Sequence, residues 1–439
     1  MLKQVVTLEC FSYICSLAFN LLLIAHPSAK SPIQRESFDI KGVLLERVLI
    51  SSISMDLPTY DEIFKGINNI FWLTGIPLDA PHKKLRFYVA CLSLIITLSG
   101  EIAFFTSKIS SENILELMDL APCFCIGALS FFKGIFLAWK LNKIIVLKNS
   151  LEILYDTIFK SDSKRKLLHR EIMKVHKLVK YYFGVNTALI TVYNFSAPIF
   201  MTYHYLSQGK VKFMVPYAVI YPFAIDNWPA WIVAYTEQVF SGFVCILFIT
   251  MSDALFCVLT SQICNNFYVI SDEIKRLKNG NHIGLGEIVK QHQYILKLSE
   301  DLEDIFRLTN LFSYLVGSLE ICALGFSITI GDWSHFLGYI LFLVSVLLQI
   351  LMMSVFGENI IRESGRVGEA AFLCEWHEIN EKAKRTILII MIRSHKHQKL
   401  TAYKFSVISY GSFTKIISTS WSYFTILKTV YKPSEVNNI

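Results

Sequence analysis

Long apolar runs separated by polar, lysine-rich stretches set the pattern of this chain. Runs near the roughly 20 apolar residues that cross a bilayer occupy 87–106, 118–139, 182–203, 231–255, 308–330 and 337–356. A mostly apolar stretch, 401–431, closes the chain. The pattern therefore predicts an all-α polytopic membrane protein with seven transmembrane helices. In the last run Gly411, Thr414, Ser418, Ser422, Thr425 and Thr429 follow at spacings of 3, 4, 4, 3 and 4, which puts them on one helix face. Such a stripe has two readings: small hydroxyl residues mediating close helix packing, or the wall of a hydrated pore.

Two connections are too long to be structureless loops. Residues 261–307 carry Ile270, Ile274 and Leu277, then Ile288, Ile295, Leu298 and Leu302, at helical spacing around a break at Asn279-Gly280-Asn281. Residues 358–400 carry Val367, Ala370, Ala371 and Cys374 on one face, then Ile387, Ile390 and Met391. Both read as helices extended beyond the membrane, whose apolar stripes need a partner in the same chain or another subunit. The resulting division is 1–54, an N-terminal extension; 55–86, a cytosolic segment; 87–255, spans one to four; 256–307, a helical extension; 308–356, spans five and six; 357–400, a second extension; and 401–439, the last span with a short extracellular tail.

Composition agrees: of 439 residues 53% are hydrophobic and 33 are Phe, too apolar for an ordinary soluble domain. The net charge of +7 is not gathered into a nucleic-acid patch; it sorts by loop. Eleven lysines and arginines lie between Lys140 and Lys180, and the loops after spans four and six are also basic, whereas the other three loops hold only Lys108, Lys210 and Lys212. The positive-inside bias then predicts a cytosolic N-terminus and an extracellular C-terminus. That is inverted relative to a G-protein-coupled receptor, and neither Asp-Arg-Tyr after span three nor Asn-Pro-x-x-Tyr in span seven occurs. An apolar run over 5–25 conflicts with this topology, and the conflict disappears if translation begins at Met55.

Cysteines fall mostly in predicted spans or cytosolic segments and read as small apolar packers. The triplet Asn194-Phe195-Ser196 lies within span three, where glycosylation is not expected. No phosphate-binding loop, hydrolase elbow or zinc motif is found, so neither an enzyme nor a cofactor is expected. Glu101, Glu237, Asp253 and Glu320 lie within or near span edges; each reads as a hydrogen-bonded acid or as the lining of a hydrated cavity.

The chain from Met55 onward resembles the insect odorant receptors. The carrying residues are Phe71-Trp72-Leu73-Thr74-Gly75, Gly368-Glu369-Ala370-Ala371-Phe372, Cys374-Glu375-Trp376, Arg393 before Leu400-Thr401-Ala402, and Phe405 leading to Ser422-Tyr423-Phe424-Thr425-Ile426-Leu427. The resemblance implies a ligand-gated cation channel in the plasma membrane of olfactory neuron dendrites, with four subunits around a pore lined by the last helix. Its apolar gate would fall on Ile426 and Val430, with Thr429 facing the pore; Lys428 beside them is unexpected in a cation pathway. The loop between spans four and five is shorter than in the family's shared co-receptor, which implies a ligand-tuning subunit that works with that co-receptor in a heterotetramer. An odorant or pheromone, a small apolar volatile, would be held in the outer half of the bundle. By depth the candidates are Met118, Pro122 and Ile126 on span two, Tyr193, Ser196 and Phe200 on span three, and Tyr235 and Val239 on span four. A G-protein-coupled chemoreceptor and a transporter are the alternatives; no internal repeat or broken helix favours the transporter.

Overall fold

A computed structural model describes residues 58–79, 82–108, 114–277, 284–330 and 336–430. The Met55 start and the Asn279-Gly280-Asn281 break lie outside them. The described chain is almost wholly helical: α1 Tyr60–Thr74, α2 Leu85–Ser107, α3 Ile114–Phe159, α4 Asp162–Gln208, α5 Trp228–Lys275, α6 Leu285–Ile330, α7 Phe336–Leu373, α8 Glu381–His395 and α9 Tyr410–Val430. A 3-10 turn at Trp376–Glu378 and a two-stranded hairpin, β1 Thr401–Ala402 and β2 Ser406–Val407, complete it.

Five helices, α2, α3, α5, α6 and α7, are long and apolar enough to cross a membrane. The first half of α4 is strongly basic and α9 carries Lys415 and Lys428 among its hydroxyls, which lowers the mean hydropathy of both. The 46 residues of α3 span about 70 Å at 1.5 Å per residue, more than twice a hydrocarbon core of roughly 30 Å. Extended helices therefore replace the long loops, as the spacing of apolar residues predicts.

Placement within the bundle follows from burial. The apolar window of α5 is 89% buried and that of α2 only 33%, so α5 is the central post and α2 a peripheral helix. α1 is an amphipathic helix opened by a capping box, in which the Thr59 hydroxyl accepts from the Glu62 amide and the Glu62 carboxylate accepts from the Thr59 amide. It stops at Gly75, whose φ of 80° suits glycine. Ile63, Phe64, Ile67 and Phe71 pack inward, while Trp72 is exposed under the Arg86 guanidinium at 3.9 Å.

A charged network pins the middle of the bundle. Lys133 on α3 and Asp253 on α5 form an ion pair of 2.5 Å with side chains 0% and 3% exposed. The second Asp253 oxygen accepts from the Tyr182 hydroxyl on α4 at 3.0 Å and from the Gln349 amide on α7 at 2.7 Å. One carboxylate thus ties four helices together. One turn beyond Tyr182, Asn186 accepts from Ser345 of α7 at 3.0 Å.

The extension beyond the spans packs against its own chain. Val367, Ala370, Ala371 and Cys374 of α7 and Ile387 and Ile390 of α8 are buried together. Close approach is made possible by Gly365 and Gly368, where a Cβ would meet the His397 ring at 2.6 Å and Ser394 at 2.9 Å. On the same side of the bundle Asp304 bridges Lys140 and Lys143 of α3 at 2.9 and 2.6 Å. These hydrogen bonds, Lys143 first, hold its carboxyl down to about 2.

The closing helix begins at Tyr410, not Thr401. Tyr403 and Lys404 adopt left-handed φ values of 51° and 63°, turning the chain so that Thr401 pairs with Val407 and Ala402 with Ser406. The hairpin is anchored by the Thr401 hydroxyl on Glu303 at 2.6 Å and by Ile408 lying against Gly357. Ser409 then accepts from the Ser412 amide at 3.4 Å and opens α9.

Removing one member of the central pair leaves the other charge buried. Lys133→Met should destabilise the detergent-solubilised protein by about 3 kcal/mol, at the low end of roughly 3–5 because Tyr182 and Gln349 still hold Asp253. A melting curve read by tryptophan fluorescence measures this, and Lys133→Met with Asp253→Leu should regain most of the loss. A second expectation concerns pH. His292, 4% exposed beside Phe267, is pushed by burial and by Arg393 from 6.5 down to about 4. The unfolded chain binds this proton first, so the stability His292 contributes is complete above pH 6.5 and lost as pH falls towards 4, at up to about 1.4 kcal/mol per unit. His292→Phe should shift the acid melting midpoint downward.

Candidate ligand-binding site

One end of the bundle holds two adjoining cavities. The larger, about 520 Å³, is bounded by α2, α3, α4, α6, α7 and the segment joining α4 to α5, with Pro122, Ser196, Phe200, Leu324 and Tyr339 among its walls. The smaller, about 60 Å³, lies between α2, α3, α4, α5 and α7 and is lined by Thr97, Glu101, Ile126, Asn186 and Ser241 among others. Cys123, Leu189, Tyr193 and Phe342 line both and form the partition.

Tyr193 is the centre of that partition. Its hydroxyl lies 3.1 Å from the Cys123 sulfur, and its ring stacks on Tyr217 at 5.5 Å and tilts against Phe342 at 5.8 Å. Pro122, Ser196 and Phe200 face the larger cavity and Ile126 the smaller. Ser196 donates its hydroxyl to the Tyr193 carbonyl at 2.7 Å, so it presents oxygen lone pairs rather than a free proton. Met118 lies on α3 outside the residues whose side chains are described. Tyr235 and Val239 line neither cavity: the Tyr235 ring stacks on Trp231 at 4.9 Å and its hydroxyl donates to the Asn194 carbonyl at 3.3 Å. The Val239 carbonyl accepts from Asn194 at 3.5 Å.

Residues 209–227 supply walls that depth alone does not reveal. Tyr217 donates its hydroxyl to the buried Asn194 at 2.8 Å, while its amide and carbonyl pair with Gln238 at 2.8 and 3.2 Å. The Ile220 amide donates to the Gly100 carbonyl at 3.2 Å, and the Trp231 indole holds the Met214 carbonyl at 2.7 Å. A Cβ at Gly242 would run into the Tyr217 hydroxyl, and one at Gly100 into Val219. The signal was in the composition: residues 213–223 read Phe-Met-Val-Pro-Tyr-Ala-Val-Ile-Tyr-Pro-Phe, a connection too apolar to remain in water. Asn194, the asparagine of the glycosylation triplet, is 0% exposed and engaged here.

The four span acids have different surroundings. Asp253 is in the central network. Glu237 accepts from Ser93, Thr97 and Tyr221 at 3.3, 3.0 and 2.7 Å. Glu101 lines the smaller cavity. Glu320 is 1% exposed with neither oxygen partnered among the described residues, one helical turn from the cavity residue Leu324.

A second surface lies on α9. Phe413, Ser420 and Phe424 are buried, with Ser420 donating to the Ser318 carbonyl of α6 at 3.0 Å and Phe424 packed on Cys322 and Phe326. Gly411, Thr414, Ser418, Ser422, Thr425 and Thr429 are all exposed, so the stripe does not serve packing within the chain. Thr414, Ser422, Thr425 and Thr429 satisfy their hydroxyls on carbonyls three or four residues back. Ile426, 57% exposed, flanks the stripe. Lys428 is half-buried and lies one turn beyond Phe424, on the flank between the stripe and the bundle. The Val430 side chain lies outside the described residues.

Because Gly242 receives the Tyr217 hydroxyl, Gly242→Ala should lift the 209–227 segment. A cysteine placed by Val219→Cys, at the half-buried side chain that lies against Gly100, should react slowly with a membrane-impermeant maleimide in the native background. It should react about tenfold faster beside Gly242→Ala, a shift of about 1.4 kcal/mol in the opening equilibrium.

Comparison with known proteins agrees with this architecture. A family model described as 7tm Odorant receptor matches residues 113–421. Odorant receptor 67c of Drosophila melanogaster is 23% identical over 367 residues, covering 81% of this chain and 90% of that one. Odorant receptor 85b of the same species is 26% identical, covering 80% and 93%. Among solved structures, the insect olfactory receptor OR5 from Machilis hrabei in complex with eugenol superposes with a TM-score of 0.71 at 16% identity, over 85% of this chain and all of that one. The fold is therefore that of the insect olfactory receptors, and the chain is a multi-pass membrane protein and olfactory chemoreceptor that belongs to the odorant receptor family.

Proposed function

We propose that this receptor is the ligand-tuning subunit of a non-selective cation channel, assembled as a heterotetramer with the family's co-receptor and opened by a small volatile. The N-terminus lies in the cytosol and the C-terminus outside, in the plasma membrane of olfactory neuron dendrites. The single observation that carries the channel reading is α9: its whole hydroxyl stripe and Ile426 are turned away from the bundle, while Phe413 and Phe424 hold its opposite face. A polar wall facing away from its own bundle suits a shared aqueous pore, and an aliphatic ring of Ile426 and Val430 beside Thr429 suits closure by dewetting. Lys428, off the stripe, is no obstacle to cations on that axis.

Odorant binding falls to the paired cavities, with Tyr193 as the residue common to both and Pro122, Ile126, Ser196 and Phe200 around it. The larger volume lies within the roughly 300–1,000 Å³ of ordinary ligand pockets and is walled mainly by apolar groups. Burial of the ligand's apolar surface, at about 25 cal/mol per Å², supplies affinity. Met118 belongs to the same site, and Tyr235 and Val239 shape it from behind its walls. The extension that includes α8 and the hairpin forms the contact between subunits.

Whole-cell recording from cells expressing this chain with the co-receptor, across a volatile panel, tests the reading. Inward cation current that persists with G-protein signalling blocked is expected; a current that requires G proteins would overturn it. Ile426→Ala should raise the ligand-independent current severalfold. Tyr193→Ala should move the odorant dose–response to higher concentration without changing that basal current.

A further inference from the structure

We propose that the odorant recognised here carries a basic amino head group, seated in the smaller cavity against Glu101, with its hydrocarbon tail in the larger one. This rests on the ligand-binding reading of the paired cavities and adds the ligand's chemical class.

Glu101 is 2% exposed and lines the smaller cavity. Its carboxyl extends across to α3, where a Cβ added at Gly127 would lie 4.0 Å from Oε2. Among the described residues nothing donates a hydrogen bond to it, although hydroxyls surround it. Nearby hydroxyls are engaged elsewhere: Ser93, Thr97 and Tyr221 with Glu237, Thr97 also with Ser241, Tyr217 with Asn194, and Tyr193 with the Cys123 sulfur. The protein has thus satisfied one acid of a neighbouring pair and left the other facing an enclosed space. The acceptor capacity of this carboxyl is what the cavity leaves unfilled.

A buried carboxyl without donors is costly, and a second acid beside it raises that cost. A ligand that relieves both must bring donors and positive charge together. An alcohol supplies one donor and no charge. An aldehyde, ketone or ester supplies neither. A primary ammonium supplies three donors and a compensating charge, and charge-assisted hydrogen bonds are about twice as strong as neutral ones. Size agrees with this division of labour. About 60 Å³ accommodates a head group but not a whole odorant, and the shared lining residues Cys123, Leu189, Tyr193 and Phe342 put it directly beside the 520 Å³ that a tail would occupy.

The test uses receptor and co-receptor expressed together and two sets of probes on matched skeletons: hexylamine, 1-hexanol and hexanal, and 2-phenylethylamine, 2-phenylethanol and phenylacetaldehyde. On at least one skeleton the amine should be more potent than its alcohol and aldehyde by about tenfold or more, equivalent to 1.4 kcal/mol. Glu101→Gln should remove that preference while the alcohol response of the same cells persists, and Glu101→Asp should keep part of it. An alcohol or aldehyde as potent as the amine on both skeletons, or a preference unchanged in Glu101→Gln, overturns the proposal. Should no probe evoke current, thermal stabilisation of the purified complex by the same six compounds reads recognition without gating. Stabilisation by an amine alone then supports the amine site and counts against the channel reading. Equal stabilisation by the neutral homologues, or none by any compound, overturns the amine site.

Discussion

A single buried carboxylate organises the bundle. Asp253 sits on α5, whose apolar window is 89% buried, and must find compensation for a charge that apolar surroundings do not solvate. It finds a lysine on α3, a tyrosine on α4 and a glutamine on α7, and each of those groups is usable only if its helix holds one register. Dispersion and lipid packing alone tolerate sliding by a residue. A fully satisfied ionic network does not, since slippage would leave an ion unpaired in a low dielectric. Asn186 and Ser345, one turn away, continue the same register towards the cavities. The floor beneath the candidate site is therefore fixed by electrostatics rather than by apolar fit.

Above that floor the walls are of a different kind. The larger cavity is walled by aromatic and aliphatic side chains and by a half-buried connecting segment that belongs to no helix. Glycines at 100 and 242 let this segment approach the helices closely, and Tyr217 fastens it to Asn194. The join is made of a few hydrogen bonds and apolar contacts, individually modest. A rigid base beneath a lightly fastened cover suits the ligand-binding role proposed for the paired cavities. α7 links the two levels, because it carries Phe342 at the partition and Gln349 in the ionic network.

The last helix is held differently again. Its foot is clamped by a hairpin and by Glu303 and Glu358, and its inner face is pinned by Phe413, Ser420 and Phe424. The hydroxyls on its outer face bond to their own backbone, so exposure costs them little and the stripe stays polar without demanding partners from the same chain. Lys428 is accommodated because the helical rotation carries it off that face.

Seven apolar segments, their extension as helices and the basic loops were legible in the sequence, because a bilayer imposes length and hydropathy on each segment independently of its neighbours. So was the one-sided stripe of α9, which is a property of helical period alone. Pro122, Ile126, Tyr193, Ser196 and Phe200 could be nominated by depth, since depth follows from position within a span. Their partners could not. That Tyr217 and Ala218 would fold back as cavity wall, that Tyr235 would lie against Trp231 instead, and that the final helix would wait until Tyr410 for a hairpin to close were decided by contacts between distant segments. The four span acids make the same point most clearly. In sequence they are alike, whereas in the folded protein one is an ion-pair anchor, one is a saturated acceptor, one is unpartnered among the described residues and one faces a cavity, because burial and partners are properties of three-dimensional neighbours that no local pattern encodes.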